Sequence, residues 1–452
     1  MSDEPHALSA SQLKQLHKRS IHVLDQLVTD EGIYASTKHG WSGEFHSWFG
    51  RDTAITADLV YAACELDGDP SLSRRAYSAL QRLAQWQGTR DDRKTGEVKG
   101  KIPHEVGSVA EENPAISRIE HGVTTNDSAW YVDRADGLLK NWDSSDSTPL
   151  WIISIIRGQR ANKRQLNEKL IEELKAALDW CLSNVRKFDG LSGFVGADLQ
   201  PGRIYSGIHN EGWKDSFQIY QFADGKLAVH PIKDVLINAE VWSALRYGAD
   251  VFAERDTHYA KRLRQAAEKL KERFNNDRTG FKFTDETGLV YYAPAIDGNG
   301  HRLPFIAADV GMCLWAYYDH ESVVDDRCVR DVVERLVRPD MLNPQAGIRD
   351  YSLGASFKQG THYHGDPYTY WPFVSALIVR GLDHFGYRGE ARRVAESLLR
   401  GVSHFDTCIE LFVETANRGY KPWHHPTLPQ QSSENQAWTA AAIYYATSYL
   451  LK

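Results

Sequence analysis

The stretch DTAITADLVYAACEL (52–66) places Ile55, Leu59, Ala62 and Leu66 three or four residues apart. That spacing lines up one face of an α-helix. The stretch RQLNEKLIEELKAALDWCLSNVR (164–186) repeats it with Leu166, Leu170, Leu174, Leu178 and Cys181. Outward from these two, the same period predicts helices over 11–29, 73–88, 147–158, 233–254, 258–275, 305–319, 326–337, 370–385, 388–401 and 434–451, twelve in all. Short alternating runs at 279–283 and 288–293 read as the strands of a small hairpin.

Twelve helices are the count needed for six helical hairpins closed into a double ring. The expected fold is therefore all-α, an (α/α)6 barrel, with residues 1–452 forming one domain. Helix 434–451, with Ala437, Ala440, Ala441, Ala442 and Ala446, suits a closely packed inner ring; 388–401, with Arg392, Arg393, Glu396 and Arg400, suits an outer one. No linker, low-complexity tract or short exact repeat divides the chain. The long connections 30–51, 89–146, 187–232, 276–304, 338–369 and 402–433 recur at alternating helix junctions. Loops of that length are uncommon unless they are functional. Their alternation would gather them at one end of the barrel, the expected site.

Composition narrows the function. The chain has 13 Trp, 21 Tyr and 16 Phe against 3 Met. A large core accounts for most of them, but Trp41, Trp48, Trp213, Trp371 and Trp423 lie in Gly- and charge-rich segments, where an indole can stack on a sugar. A net charge of −7 gives no basic footprint and argues against nucleic acid as a partner. No run of about 18 apolar residues exists to span a membrane. Five Cys, at 64, 181, 313, 328 and 408, show neither metal nor redox spacing. Their odd count argues against a disulfide framework, and the opening MSDEPHALSASQLKQLHKRS lacks the apolar stretch of a signal peptide. These features together predict a cytoplasmic protein. With no metal-ligand spacing and no dinucleotide fingerprint, neither metal nor cofactor is expected. Nothing in the sequence specifies an oligomeric state.

Three segments carry candidate chemistry. In WFGRDT (48–53) the donor fork of Arg51 beside the acceptors of Asp52 can hold adjacent hydroxyls of one sugar ring, although Asp52 also suits a helix start. In EGWKDS (211–216) Asp215 stands near an indole, which raises a carboxyl pKa, and a Lys, which lowers it; a surface turn is the plainer reading. In FDTCIELFVET (405–415) Glu410 is flanked by apolar residues, where a carboxylate is either functional or satisfied by a network. Glu414 and Glu434 are rivals for the same role, the second at the expected start of the last helix. Inverting glycoside hydrolysis needs one carboxylic acid for the leaving oxygen and one carboxylate for the attacking water, roughly 6.5–9.5 Å apart.

WFGRDT resembles the sugar-binding signature of the amylo-α-1,6-glucosidase domain of glycogen debranching enzymes, which is related to glucoamylases. Further segments follow in that family's order: GKIPHE (100–105), DSTPLW (146–151), GWKDS (212–216), GIRDYS (347–352), YHGDPYTYWP (363–372), IELF (409–412) and NQAWTAAA (435–442). The resemblance covers about residues 40–450. It implies an α/α six-hairpin barrel, an inverting hydrolase that releases glucose from a non-reducing-end α-glucosidic bond, Asp215 as general acid and Glu410 as general base. It implies that Trp48, Phe49, Arg51 and Asp52 bind the terminal sugar, and that Asp146, Trp151, Trp213, Lys214, Asn238, His364, Trp371 and Gln436 line the site. The chain departs from the family pattern at Ile409, where a Pro precedes the base, and at Asn238, where a Gln is usual.

The alternative is a sugar isomerase or epimerase of the same architecture, working through loop histidines. His104, His209, His362, His364, His424 and His425 supply candidates. A phosphorolytic enzyme lacks a Gly-rich phosphate loop here. A binding protein without activity would not need both Asp215 and Glu410.

Overall fold

A computed structural model of the protein describes residues 7–38, 45–108, 131–133, 137–203, 207–355, 357, 363–427 and 430–452. Trp41 and His362 lie outside the described residues. Twelve α-helices occur among the described residues: α1 (Ala10–Leu27), α2 (Gly50–Asp67), α3 (Ser71–Leu83), α4 (Ser147–Ala161), α5 (Glu168–Lys187), α6 (Val235–Val251), α7 (Thr257–Phe274), α8 (Asp309–Trp315), α9 (Val329–Leu336), α10 (Pro372–His384), α11 (Arg388–Val402) and α12 (Ala437–Leu451).

The even-numbered helices touch one another in a cycle. α2 packs on α4, α4 on α6, α6 on α8, α8 on α10, α10 on α12, and α12 returns to α2. The odd-numbered helices lie against this cycle: α1 on α12, α3 on α2 and α4, α5 on α4 and α6, α7 on α6, α9 on α8, and α11 on α10 and α12.

Burial separates the two sets. α5 keeps the one-sided pattern of its sequence, burying Leu170, Ile171, Leu174, Leu178 and Cys181. It starts later than predicted because Asn167 caps it, accepting from the Leu170 amide at 2.8 Å, so Leu166 falls outside. α2 corrects its reading as a one-sided helix, since every residue from Gly50 to Cys64 is buried, polar ones included. A helix flanked by two neighbours in the cycle and a third outside has no solvent face. α12 is likewise buried from Ala437 to Ser448. The helix predicted over 305–319 shrinks to α8 because its first residues pair with a neighbouring connection. Ser352 N–H donates to Ile306 O at 3.0 Å, and Ala308 N–H donates to Asp350 O at 3.0 Å.

Each even-numbered helix is preceded by a long connection that holds short strands, and each but α12, whose partner is α1, is followed by its odd-numbered partner. The strands are β1 (Trp48–Phe49), β2 (Glu105–Ser108), β3 (Tyr131–Asp133), β4 (Leu138–Asn141), β5 (Lys233–Asp234), β6 (Lys282–Thr284), β7 (Val290–Tyr292), β8 (Ala295–Ile296), β9 (Leu342–Asn343), β10 (Gly347–Ile348), β11 (Thr369–Tyr370), β12 (Phe412–Glu414) and β13 (Tyr420–Pro422). β6 and β7 form the predicted hairpin, with Phe283 opposite Tyr291.

Backbone bonds sew the six connections to one another in sequence. β1 pairs with β2, joining the connections before α2 and α4. Ser145 N–H donates to Glu211 O at 2.7 Å, joining the next pair. β5 pairs with β8, Ala307 bridges to Tyr351, and β11 pairs with β12. Ser36 bridges to Gln436, so the last connection meets the first. The long connections thus gather at one end, where the even-numbered helices begin. The five Cys are buried and unpaired. No helix among the described residues is long and apolar enough to cross a membrane.

Candidate active site

All six even-numbered helices begin with a polar or aromatic side chain from the candidate set or beside it. Asp52 lies in the first turn of α2, Asp146 and Asp234 are the N-caps of α4 and α6, and Asp309 opens α8. Trp371 and Gln436 are the N-caps of α10 and α12. Free amides and the positive end of the helix dipole favour carboxylates at such positions.

Arg51 is the hub. Its Nε donates to Asp146 Oδ2 at 2.6 Å, and its Nη2 donates to Asp146 Oδ1 at 3.4 Å and to Gly212 O at 2.8 Å. Its Nη1 reaches Asp215 Oδ2 at 3.5 Å. Ser144 Oγ also donates to Asp146, at 2.5 Å. The neighbouring Asp52 accepts from Gln436 Nε2 at 3.0 Å. Burial, opposed by Arg51 and reinforced by the Glu410 charge, pushes Asp52 up to about 8.

Asp215 is set in place by its two predecessors. Trp213 Nε1 donates to Asp309 Oδ1 at 2.8 Å, and Lys214 Nζ bonds Asp309 Oδ2 at 2.6 Å and pairs with Asp350 Oδ1 at 2.7 Å. Lys214 Nζ also lies over the Tyr351 ring at 3.9 Å. The Lys214 charge is thus spent on two buried carboxyls rather than on Asp215. Asp215 keeps 29% of its side chain exposed, with His364 Nδ1 at 3.8 Å. Burial, opposed by Arg51, pushes its carboxyl up to about 6.

Glu410 comes from the last connection and is almost fully buried. Tyr363 Oη donates to its Oε1 at 2.6 Å, and the Ser433 amide donates to its Oε2 at 2.9 Å. Burial raises it to about 7, against the pull of these two donors; the Asp215 charge adds to the rise. Glu410 thus feels the charge of Asp215, 195 positions away in the sequence. Aromatic rings wall the group. Trp371 stacks on His364 at 5.2 Å, and Trp213 and Tyr363 meet Trp371 edge-on at 5.6 and 5.1 Å. His364 is buried, with Ser216 Oγ at 2.7 Å from its Nδ1, and burial beside Arg51 keeps it neutral.

Not every predicted residue joins this group. Trp151 is fully buried with its indole turned to α3, donating to Leu80 O at 3.0 Å. Asn238 is consumed by backbone: it donates to Ser192 O and Asp234 O and accepts from Ser192 N–H at 2.7 Å. The Trp151 indole leaves α4 on a different face from Asp146, five residues earlier, whereas Asn238 lies one turn after Asp234 on the same face and is held by backbone groups. In β1 the alternation of side chains divides Trp48 from Phe49. Trp48 stacks on Trp86 at 4.9 Å, whereas Phe49 meets His104 at 5.4 Å, and the Arg51 charge reaches His104. Of the rivals to Glu410, Glu414 is engaged by Arg349 at 3.0 Å and by Tyr370, and Glu434 is exposed.

Tyr363, Asp309 and Asp350 were absent from the candidates. A signal for Asp309 existed: an acidic residue at the start of an inner helix, as at Asp52 and Asp146. Tyr363 and Asp350 lay within quoted segments but had no property that distinguished them.

Neither a known protein family nor a curated protein matches the sequence. Solved structures match in fold. A GH63 mannosylglycerate hydrolase from Thermus thermophilus, in complex with glucose, aligns with a TM-score of 0.59 at 13% identity over 95% of this chain and 99% of that one. A wild-type glycosidase aligns with a TM-score of 0.55 at 12% identity over 98% and 99%. The chain thus shares a helical fold with glycosidases.

Proposed function

We propose that the protein is an inverting glycoside hydrolase, a single (α/α)6-barrel catalytic domain whose inner ring is the cycle of even-numbered helices. It releases glucose from a non-reducing-end α-glucosidic bond of an oligosaccharide or a small α-glucoside. Asp215 is the general acid and Glu410 the general base. The observation that carries this reading is the pair itself: two carboxyls from different connections, both raised toward neutrality by burial, with the Asp215 charge among the causes that raise Glu410.

The division of roles follows from their surroundings. Two donors already point at Glu410, an arrangement that favours its ionised form. It is buried before any sugar arrives, so a bound ring takes little further water from it. Asp215 is still partly exposed, and a sugar covering it would strip that water and move its pKa up. With substrate bound, the shared proton therefore resides on Asp215. Asp215 then protonates the leaving oxygen while Glu410 takes a proton from water attacking the anomeric carbon from the opposite face. Asp52 and Arg51 bind hydroxyls, helped by Gln436 Oε1 and Trp371 Nε1, buried polar atoms without a hydrogen-bond partner among the described residues. The Trp213, His364 and Trp371 rings supply the apolar wall.

The resemblance to amylo-α-1,6-glucosidases supports a glucose-specific site, and the fold shared with a mannosylglycerate hydrolase supports small glycosides as substrates. The test is to incubate the protein with α-linked glucose disaccharides, branched dextrins and mannosylglycerate, and to follow the released sugar by NMR. Early appearance of β-glucose from an α-linked substrate is the expected result. Early α-glucose would overturn inversion, and isomerisation of free hexose without hydrolysis would favour the epimerase reading.

A further inference from the structure

The other ends of the even-numbered helices converge on a second polar centre. Asp58 of α2 is fully buried and accepts from Trp315 Nε1 at 2.7 Å. Arg157 of α4 donates to both Asp58 oxygens, at 3.4 and 3.3 Å, and Arg380 of α10 donates to the same carboxylate. Two guanidinium groups thus share one carboxylate, which leaves a positive charge uncompensated in a buried place. Arg157 spends its remaining donors on Tyr247 Oη, Trp315 O and Tyr317 O. Arg380 uses only Nη1, toward Asp58; its Nε and Nη2 donate to nothing among the described residues.

A cavity of about 680 Å³ opens beside this centre, lined by Arg157, Arg380 and Tyr61, with Arg74, Arg160 and Lys163 also on its wall. Arg160 is paired with Asp250 at 3.1 Å, whereas Arg74 and Lys163 are exposed and form no ion pair among the described residues. The sole carboxylate in the described lining is Glu65. Tyr61 is 3% exposed, and its hydroxyl has no hydrogen-bond partner among the described residues. Its ring rests on Gly158, where a Cβ would come within 2.6 Å of the phenol oxygen. Helix ends repel anions through their free carbonyls. Here Arg157 occupies Trp315 O and Asn162 Nδ2 occupies Gly158 O, at 2.9 Å each.

We propose that this cavity is a second ligand site, which takes a small organic phosphate. The unspent fork of Arg380 matches phosphate oxygens in pairs, the Tyr61 hydroxyl adds a donor, and Arg74 and Lys163 draw the anion in. The volume exceeds that of the anion alone and holds a sugar-sized body. The inference does not depend on the carboxylates at the opposite helix ends.

The test is titration calorimetry on the full chain at low salt, with glucose 6-phosphate, inorganic phosphate and glucose as probes. Glucose 6-phosphate is expected to bind one per chain, inorganic phosphate more weakly, and glucose not at this site. The double variant Arg74→Gln/Lys163→Gln, altered only at exposed positions, should weaken glucose 6-phosphate binding by about tenfold. Tyr61→Phe, which removes an unpartnered hydroxyl, should weaken it several-fold without lowering Tm. Asp215→Asn should leave it unchanged. The proposal is overturned if neither phosphate binds at millimolar concentration, if the double variant binds as tightly as the parent, or if Asp215→Asn abolishes binding.

Discussion

The two ends of the even-numbered helices carry opposite surpluses of charge. Where they begin, Asp146 and Asp215 share Arg51, and Asp309 and Asp350 share Lys214. Where they end, Arg157 and Arg380 share Asp58. Helix dipoles favour carboxylates at the first end and cations at the second. The difference that matters is how far each surplus is satisfied. Arg157 has fixed acceptors for its Nε and both Nη atoms. At the opposite end the carboxyls are raised toward neutral pH, and Gln436 Oε1 and Trp371 Nε1 stay unpartnered. Arg157 and Asp58 fasten helices together, while Arg380 beside them keeps Nε and Nη2 without an acceptor among the described residues; at the opposite end the carboxyls are poised to exchange a proton.

Removing one charge from each end should therefore do different things. Glu410→Gln and Asp215→Asn keep the side-chain shapes and should lower kcat by about 10²–10⁴-fold with Tm nearly unchanged. Steady-state kinetics with thermal melts check this, and a loss below tenfold would break the contrast. Asp58→Asn should do the reverse. It leaves two buried guanidinium groups over a neutral amide, which costs about 3–5 kcal/mol of stability. Urea unfolding reads that loss, while kcat per folded molecule should hold.

A smaller effect separates the proposed base from its support. The Tyr363 hydroxyl stabilises the ionised form of Glu410, so Tyr363→Phe should raise the Glu410 pKa above its present value of about 7. A base must be ionised to act, so the acidic limb of kcat/KM should move to higher pH, by about one unit for one charge-assisted hydrogen bond. The pH profile of the variant tests this. An unmoved acidic limb would mean that Glu410 is not the group titrating there. Stability carries its own sign. Glu410 is raised above its unfolded value, so its contribution to stability is complete below about pH 4.5 and is lost as pH rises through about 7. Glu410→Gln should flatten the fall in Tm across that window.

Much of this was legible in the sequence, for reasons that differ by region. The helices showed because an apolar residue recurs every three or four positions, and the site end showed because six long connections alternate with short ones. Arg51, Asp52, Asp215 and Glu410 stood out because charge beside Trp, Gly or an apolar run is costly unless used. The Asp58 centre was hidden. An Asp in mid-helix reads as solvent-facing, and its partners Arg157 and Arg380 lie 99 and 322 positions away. Tyr363 was hidden for the same reason, since its hydroxyl acquires meaning only through Glu410, 47 positions on. Partners of this kind do not show along a helix: the Trp151 indole is bonded to Leu80 O and the Asn238 amide to backbone of Ser192 and Asp234.

Trp151 gives the smallest and cleanest test of that last point. The resemblance puts it among the residues that touch sugar, whereas its indole N–H is bonded to Leu80 O and its side chain has no exposed surface. Trp151→Phe removes one buried hydrogen bond and some volume between α4 and α3. The cost should be about 1–3 kcal/mol, the desolvation of the stranded carbonyl. KM and kcat should stay as in the parent, because nothing on the substrate side has changed. If KM rises several-fold while stability holds, the indole contacts sugar after all, and the boundary between the ring's fastening and its site lies one turn deeper into α4.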